Sequence, residues 1–241
     1  LLELNDLLTL DYNADLDSML HGERQASQSL NTFYSFIYGY WTFTANWSRF
    51  DYRTMLEGPG GAFSSAGTTT TTALSADYVF HRDADSKSSV GLGFTLRDTQ
   101  NYLAGAKLQA SSQVLSVASV SATHTRRLLG GVFSLDGEYR RGLDILGARQ
   151  DDGGGPSMPR AQFDKLTLGA DYHLPFTVQD APLSWSTRAW GQWSPDTLYS
   201  AERASIGSRY TVRGFHQDGL SGDIGGYVRN ELAISAPLGA E

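Results

Sequence analysis

Along most of this chain apolar and polar side chains alternate with a period of two, as they do in strands whose faces meet different surroundings. Leu8, Leu10 and Tyr12 alternate with Thr9, Asp11 and Asn13, and Phe43, Ala45 and Trp47 with Thr42, Thr44, Asn46 and Ser48. Tyr34, Phe36 and Tyr38 form a less regular run, interrupted by Phe33 and Ile37. Leu74, Ala76, Tyr78 and Phe80 oppose Ser75 and Asp77; Val90, Leu92, Phe94 and Leu96 oppose Gly91, Gly93, Thr95 and Arg97. The run from Val114 to His124 has strand composition but poor phase. Phe133, Leu135 and Tyr139 then oppose Ser134, Asp136, Glu138 and Arg140. Leu166, Leu168, Ala170, Tyr172 and Leu174 oppose Lys165, Thr167, Gly169, Asp171 and His173. Leu183, Trp185, Ala189 and Trp193 oppose Ser184, Ser186, Arg188 and Gln192, with Trp190 on the polar side. Val228, Leu232 and Ile234 against Tyr227, Arg229 and Glu231 complete ten segments.

The connections have a rhythm of their own. Short ones follow the even segments: Tyr38–Trp41, Arg82–Lys87, Arg126–Gly130 and Pro175–Pro182. Long ones follow the odd segments, at residues 14–29, 53–67, 98–112, 143–162 and 195–225. Short turns on one side and long loops on the other, joining strands of about ten residues, predict an all-β, transmembrane antiparallel β-barrel. Tyr38, Tyr40, Trp41, Tyr52 and Trp193 fall near strand ends, where interfacial aromatics belong. A soluble β-sandwich or lipocalin-like barrel also alternates and stands as the other reading of the pattern. Thr68–Thr72 read as the approach to a strand, and Asp151–Pro156 as a flexible loop tip.

Composition narrows the function. The 241 residues carry a net charge of −7, against the cationic surplus that a general nucleic-acid binder needs. With no cysteine, a disulfide scaffold, a thiolate zinc site and a cysteine nucleophile are excluded together. No window approaches the roughly 18 apolar residues of a spanning helix. Neither end carries the features of a complete chain, and the sequence reads as part of a longer protein.

Enzyme chemistry is not in evidence. There is no Gly-x-Ser-x-Gly elbow, no Walker-type loop and no His-Glu-x-x-His. The five histidines, at 21, 81, 124, 173 and 216, lack ligand spacing. Asp171 with His173 on one strand face is the nearest approach to a hydrolase pair, and reads more simply as two water-facing side chains. His216 beside Asp218 carries no more weight, and Asp83 with Asp85 reads as a turn rather than half a calcium loop.

The longest connection contains Ser208-Arg-Tyr-Thr-Val-Arg-Gly-Phe215 and runs into Arg229-Asn-Glu-Leu232. With Tyr38-Gly-Tyr-Trp-Thr-Phe43, the turn His81–Lys87 and Leu4-Asn-Asp-Leu-Leu8, it resembles the TpsB transporters of two-partner secretion. These are the haemolysin-activator and filamentous-haemagglutinin exporters of the Omp85 superfamily. The resemblance implies that residues 1–241 are one partial outer-membrane barrel domain, strands three to twelve of sixteen, without the family's periplasmic POTRA domains and terminal strands. It implies a pore in the outer membrane of a Gram-negative bacterium, in contact with lipid, exporting a secreted TpsA-type exoprotein without nucleotide hydrolysis or cofactor. Val212, Arg213, Gly214 and Phe215 become the motif of a lumenal loop, with Tyr210, Asn230 and Glu231 as its support. The arginine's acidic partner would lie on a strand beyond this sequence. Rival readings are an outer-membrane assembly factor sharing the loop motif, a ten-strand outer-membrane hydrolase, and a passive porin.

Overall fold

A computed structural model describes residues 5–15, 25–58, 61–151, 153, 155, 157–179, 181–208, 211–212 and 219–234. Nearly all of it is strand: β1 Leu7–Ala14, β2 Gln25–Tyr38, β3 Trp41–Gly58, β4 Gly61–Arg82, β5 Ser86–Leu103, β6 Ala106–Lys107, β7 Gln113–Leu128, β8 Gly131–Leu143, β9 Asp164–Val178, β10 Ala181–Trp193, β11 Ala204–Ile206, β12 Leu220–Gly222 and β13 Gly225–Ile234. The main sheet runs β1-β2-β3-β4-β5-β7-β8-β9-β10-β13, with β6 beside β5; β11 and β12 form a separate ribbon. The ten long strands are the ten segments read from the sequence, and the all-β antiparallel class stands.

Two compact units divide the chain. The first comprises Leu1–Tyr78, Leu92–Ala118 and Gly142–Asp152; the second comprises Val79–Gly91, Ser119–Arg141 and Gly153–Glu241. In the first unit, strand pairing places Leu8 against Tyr34, Phe36 against Phe43 and Phe43 against Ala76, so the apolar positions share one face. At the turn end of this face Trp41 stacks on Phe43 with ring centroids 5.9 Å apart and meets Tyr78 at 4.8 Å.

The strands outrun the hydrophobic pattern. β3 and β4 have 18 and 22 residues, and their hairpin closes at Gly58 and Gly61, far into the expected long loop. At ~3.3 Å per residue β4 is about 70 Å long, more than twice the hydrocarbon thickness of a bilayer. Thr68–Thr72 are therefore strand residues, opposite Trp47–Asp51, and not the approach to one. Beyond Trp47 the faces exchange character. Arg49, Asp51 and Arg53 continue the face of Phe43, Ala45 and Trp47, and Asp51 takes bonds from Arg49 Nε at 2.9 Å and Thr68 Oγ1 at 2.6 Å. Apolar alternation ends where lipid would end, whereas the backbone ladder continues into water. Tyr52, expected among the interfacial aromatics, is on the opposite face from Trp47: it crosses Gly67, whose missing Cβ leaves room for the ring, to donate to Asn101 Oδ1 at 3.2 Å.

Most of the buried hydrophobic side chains gather at two connections. In the first unit Leu115, Ser116 and Val117 are all buried, because the segment after β8 covers β7: Ser116 Oγ donates to Ile145 O at 2.8 Å and Arg149 N to Val114 O at 2.9 Å. That cover explains the poor phase of the sequence there. In the second unit Phe163 is buried just ahead of β9, and Leu198, Tyr199 and Ala204 are buried within the connection from β10 to β13.

The β4–β5 turn is closed by the Asp83 carboxylate, whose Oδ1 accepts from Asp85 N at 2.8 Å and Ser86 N at 2.6 Å. Those amides, Asp85 first, hold its pKa down at about 2. Asp83 therefore acts as a turn former. Because the folded value is depressed, its stabilisation is complete above about pH 4 and fades as pH falls toward 2. Unfolding midpoints of the full-length parent and its Asp83→Asn variant in detergent should differ at pH 5 and converge toward pH 2; a gap independent of pH would contradict this role.

Candidate functional site

The second unit holds the connection that carries the loop motif. β8, β9 and β10 present a polar face of Ser134, Asp136, Glu138 and Arg140; Lys165, Thr167, Asp171 and His173; and Ser186, Arg188 and Gln192. The opposite face carries Leu135, Leu168, Trp185 and Trp193, all well exposed. Registers are fixed residue by residue, Arg140 opposite Lys165 and Lys165's neighbour Leu166 opposite Trp193.

Two cations directly opposite each other on neighbouring strands repel. Here a carboxylate from the connection resolves the conflict. Glu202, only 3% exposed, receives Lys165 Nζ at 2.6 Å and Arg140 Nη1 at 2.8 Å on the same oxygen, Oε2. Its carbonyl accepts from Lys165 Nζ at 3.2 Å and from Gln192 Nε2 at 3.0 Å. Three consecutive wall strands thus converge on one loop residue. Removing a partner from such a buried cluster would strand charge at a cost of about 3–5 kcal/mol.

The limb around Glu202 is built from short polar locks. Ser194 Oγ donates to Asp164 O at 2.7 Å, Asp164 N to Asp196 Oδ2 at 2.9 Å, and Arg160 N to Thr197 O at 2.9 Å. A 3-10 turn over Ser200–Glu202 then places Glu202, and β11 leaves toward the motif. The return limb is tied to the outgoing one through Asp223. Its Oδ1 accepts from Leu198 N at 2.9 Å and Arg203 Nε at 3.2 Å, and its carbonyl accepts from Gln192 Nε2 at 3.3 Å. β11 and β12 pair Ala204 with Gly222, Ser205 with Ser221 and Ile206 with Leu220, making a ribbon at the base of the motif-bearing segment.

Of the residues singled out from the sequence, Tyr210, Arg213, Gly214 and Phe215 lie outside the described residues, as do His21, His216 and Asp218. Val212 is half-buried, just after a turn in which Thr211 Oγ1 accepts from Gly207 N at 3.0 Å and Ser208 N at 2.9 Å. Glu231 shares the polar face with Arg229, whose Nε is 3.7 Å from its Oε1. Asn230 projects from the other face beside Val228 and Leu232, where it accepts from Thr187 Oγ1 at 2.7 Å. Asp171 and His173 do share a face, but each is engaged across to β10: Arg188 Nη1 lies 3.3 Å from Asp171 Oδ1, and His173 Nδ1 2.8 Å from Ser186 Oγ. Arg140, Lys165, Gln192, Glu202 and Asp223 are the residues that sequence reading missed. The signal was the Arg140–Lys165 opposition, which becomes visible only once the strand register is known.

An antiparallel membrane-barrel wall with a long connection docked on its polar face is the class defined by this fold and site. The chain belongs to the family described as haemolysin secretion/activation protein ShlB/FhaC/HecB, whose model matches residues 1–241. It is 37% identical over 203 residues to the outer membrane transporter CdiB of Escherichia coli, covering 83% of this chain and 34% of that protein. It is also 34% identical to the hemolysin transporter protein ShlB of Serratia marcescens, over 98% of this chain and 42% of that protein. The solved structure of CdiB from Escherichia coli superposes with a TM-score of 0.88 at 34% identity, over 95% of this chain and 42% of that one. CdiB from Acinetobacter baumannii gives a TM-score of 0.80 at 25% identity, over 98% of this chain and 41% of that one. The chain therefore spans about a third to two-fifths of the length of these relatives.

Asp223 is expected to hold the two limbs together. Asp223→Ala should speed exchange of the Leu198 amide by at least about tenfold, an effect of about 1.4 kcal/mol, in hydrogen-exchange mass spectrometry of the full-length protein. Unchanged protection of residues 197–206 would refute it.

Proposed function

We propose that this chain is part of an outer-membrane pore that exports a large partner exoprotein, of haemolysin or toxin type, by two-partner secretion. The observation that carries the reading is a strand wall with one apolar and one polar face, whose longest connection is anchored on the polar face by Glu202. The family match over the whole chain supports it, as do the transporter names of the relatives. Both favour secretion over barrel assembly. In this reading the apolar face meets outer-membrane lipid, and the polar face lines a water-filled conduit for the unfolded partner. Residues 1–241 form a single partial barrel domain of a longer transporter, whose periplasmic POTRA domains capture the exoprotein. Export needs no nucleotide and no covalent chemistry by the barrel, so the chain is not an enzyme.

The motif Val212-Arg213-Gly214-Phe215, supported by Tyr210 and Glu231, sets the loop in its conducting arrangement. Arg213 is its permanent charge, with five donors that require carboxylate or carbonyl partners. Arg213→Ala in the full-length parent should abolish appearance of the exoprotein outside the cell while the barrel keeps its heat-modifiable mobility. Export at the parental level would remove this role.

A further inference from the structure

The two cations that meet Glu202 come from different strands, and the carboxylate comes from the loop. The cluster therefore joins wall to loop, whereas wall is joined to wall by the β8–β9 and β9–β10 ladders. We propose that Glu202 is a positioning residue, a latch holding the limb from Ser194 to Ile206 on the polar face of β8, β9 and β10, and that the closed state of the pore depends on it. This rests on the secretion-pore reading for its functional consequence.

Three observations carry the latch. Glu202 is 3% exposed and Lys165 5%, so water does not compete for these charges as it does at a surface pair. Both the backbone and the side chain of Glu202 are held, by Lys165, Arg140 and Gln192, which fixes the limb in position as well as in charge. The site is also selective in sign. Arg140 and Lys165 stand directly opposite each other, and Glu202 Oε2 takes both at 2.8 and 2.6 Å, whereas Glu138 on the wall itself comes only within 3.9 Å of Arg140. Releasing the limb would free the ribbon of β11 and β12, which has only three residue pairs of its own. The residue reporting such release is Arg203, whose Nε is held by Leu198 O at 3.0 Å and Asp223 Oδ1 while the limb is docked.

The test uses the full-length parent reconstituted in planar bilayers and, separately, on intact cells. Glu202→Gln should keep the heat-modifiable barrel, raise resting conductance several-fold, and open a trypsin cut after Arg203 that mass spectrometry detects. Glu202→Asp, which keeps the charge that Arg140 and Lys165 share but shortens its reach, should lie between the parent and Glu202→Gln in both readouts. Should Glu202→Gln not reach the folded form, Lys165→Met, which retains the Arg140 contact, should shift both readouts in the same direction to a smaller extent. Parental conductance with Arg203 protected in whichever of Glu202→Gln and Lys165→Met folds, or a Glu202→Asp variant no nearer the parent than Glu202→Gln, would overturn the latch. Neither readout involves the exoprotein. Failure of the export reading would show in secretion assays, leaving the latch to be judged on conductance and cleavage alone.

Discussion

Every backbone amide in a sheet needs a partner, and in hydrocarbon water cannot supply one. The rest of this structure depends on that requirement. Neighbouring strands meet it by pairing in register along their length, as Ala181–Trp193 does with β9 on one side and β13 on the other. Once pairing fixes the register, the pleat fixes the faces. Leu168 and Val228 then point one way, and Lys165, Asp171 and Arg229 the other. A shift of one residue would send each side chain to the wrong medium. The two faces and the function proposed for them therefore follow from one ladder.

The same ladder creates the problem that the loop solves. Register places Arg140 opposite Lys165, a repulsive arrangement on the strands themselves, and the limb after β10 supplies the carboxylate. Stability of the wall and placement of the loop are thus coupled through Glu202. Asp223 extends the coupling to the return limb, so both ends of the motif-bearing segment are tied down beside the wall.

The sequence reading succeeded where side chains face two uniform media. β9 is the clearest case: Lys165 to Leu174 alternate without interruption, and the strand contains them all. It failed where one medium gives way to another. β3 continues past Trp47 with Arg49, Asp51 and Arg53 on the formerly apolar face, and its partner β4 starts as early as Gly61, so a search for apolar alternation cut both short. Leu115 to Val117 are buried by a connection, and a residue covered by protein need not alternate. Glu202 was visible as a letter but not as a site, because its meaning depends on two residues 37 and 62 positions away. The assignment of Asn230 beside Glu231 shows the same limit: adjacent residues on a strand serve opposite faces.

The two-faced wall is tested most directly by single cysteines along β9, a strand in a sequence with no cysteine of its own. In the full-length parent embedded in membrane, a charged, water-soluble thiol reagent would be applied to variants at positions 167 to 174. The account predicts labelling at Thr167, Gly169, Asp171 and His173 and protection at Leu168, Ala170, Tyr172 and Leu174. Uniform labelling, or protection running without alternation, would contradict it.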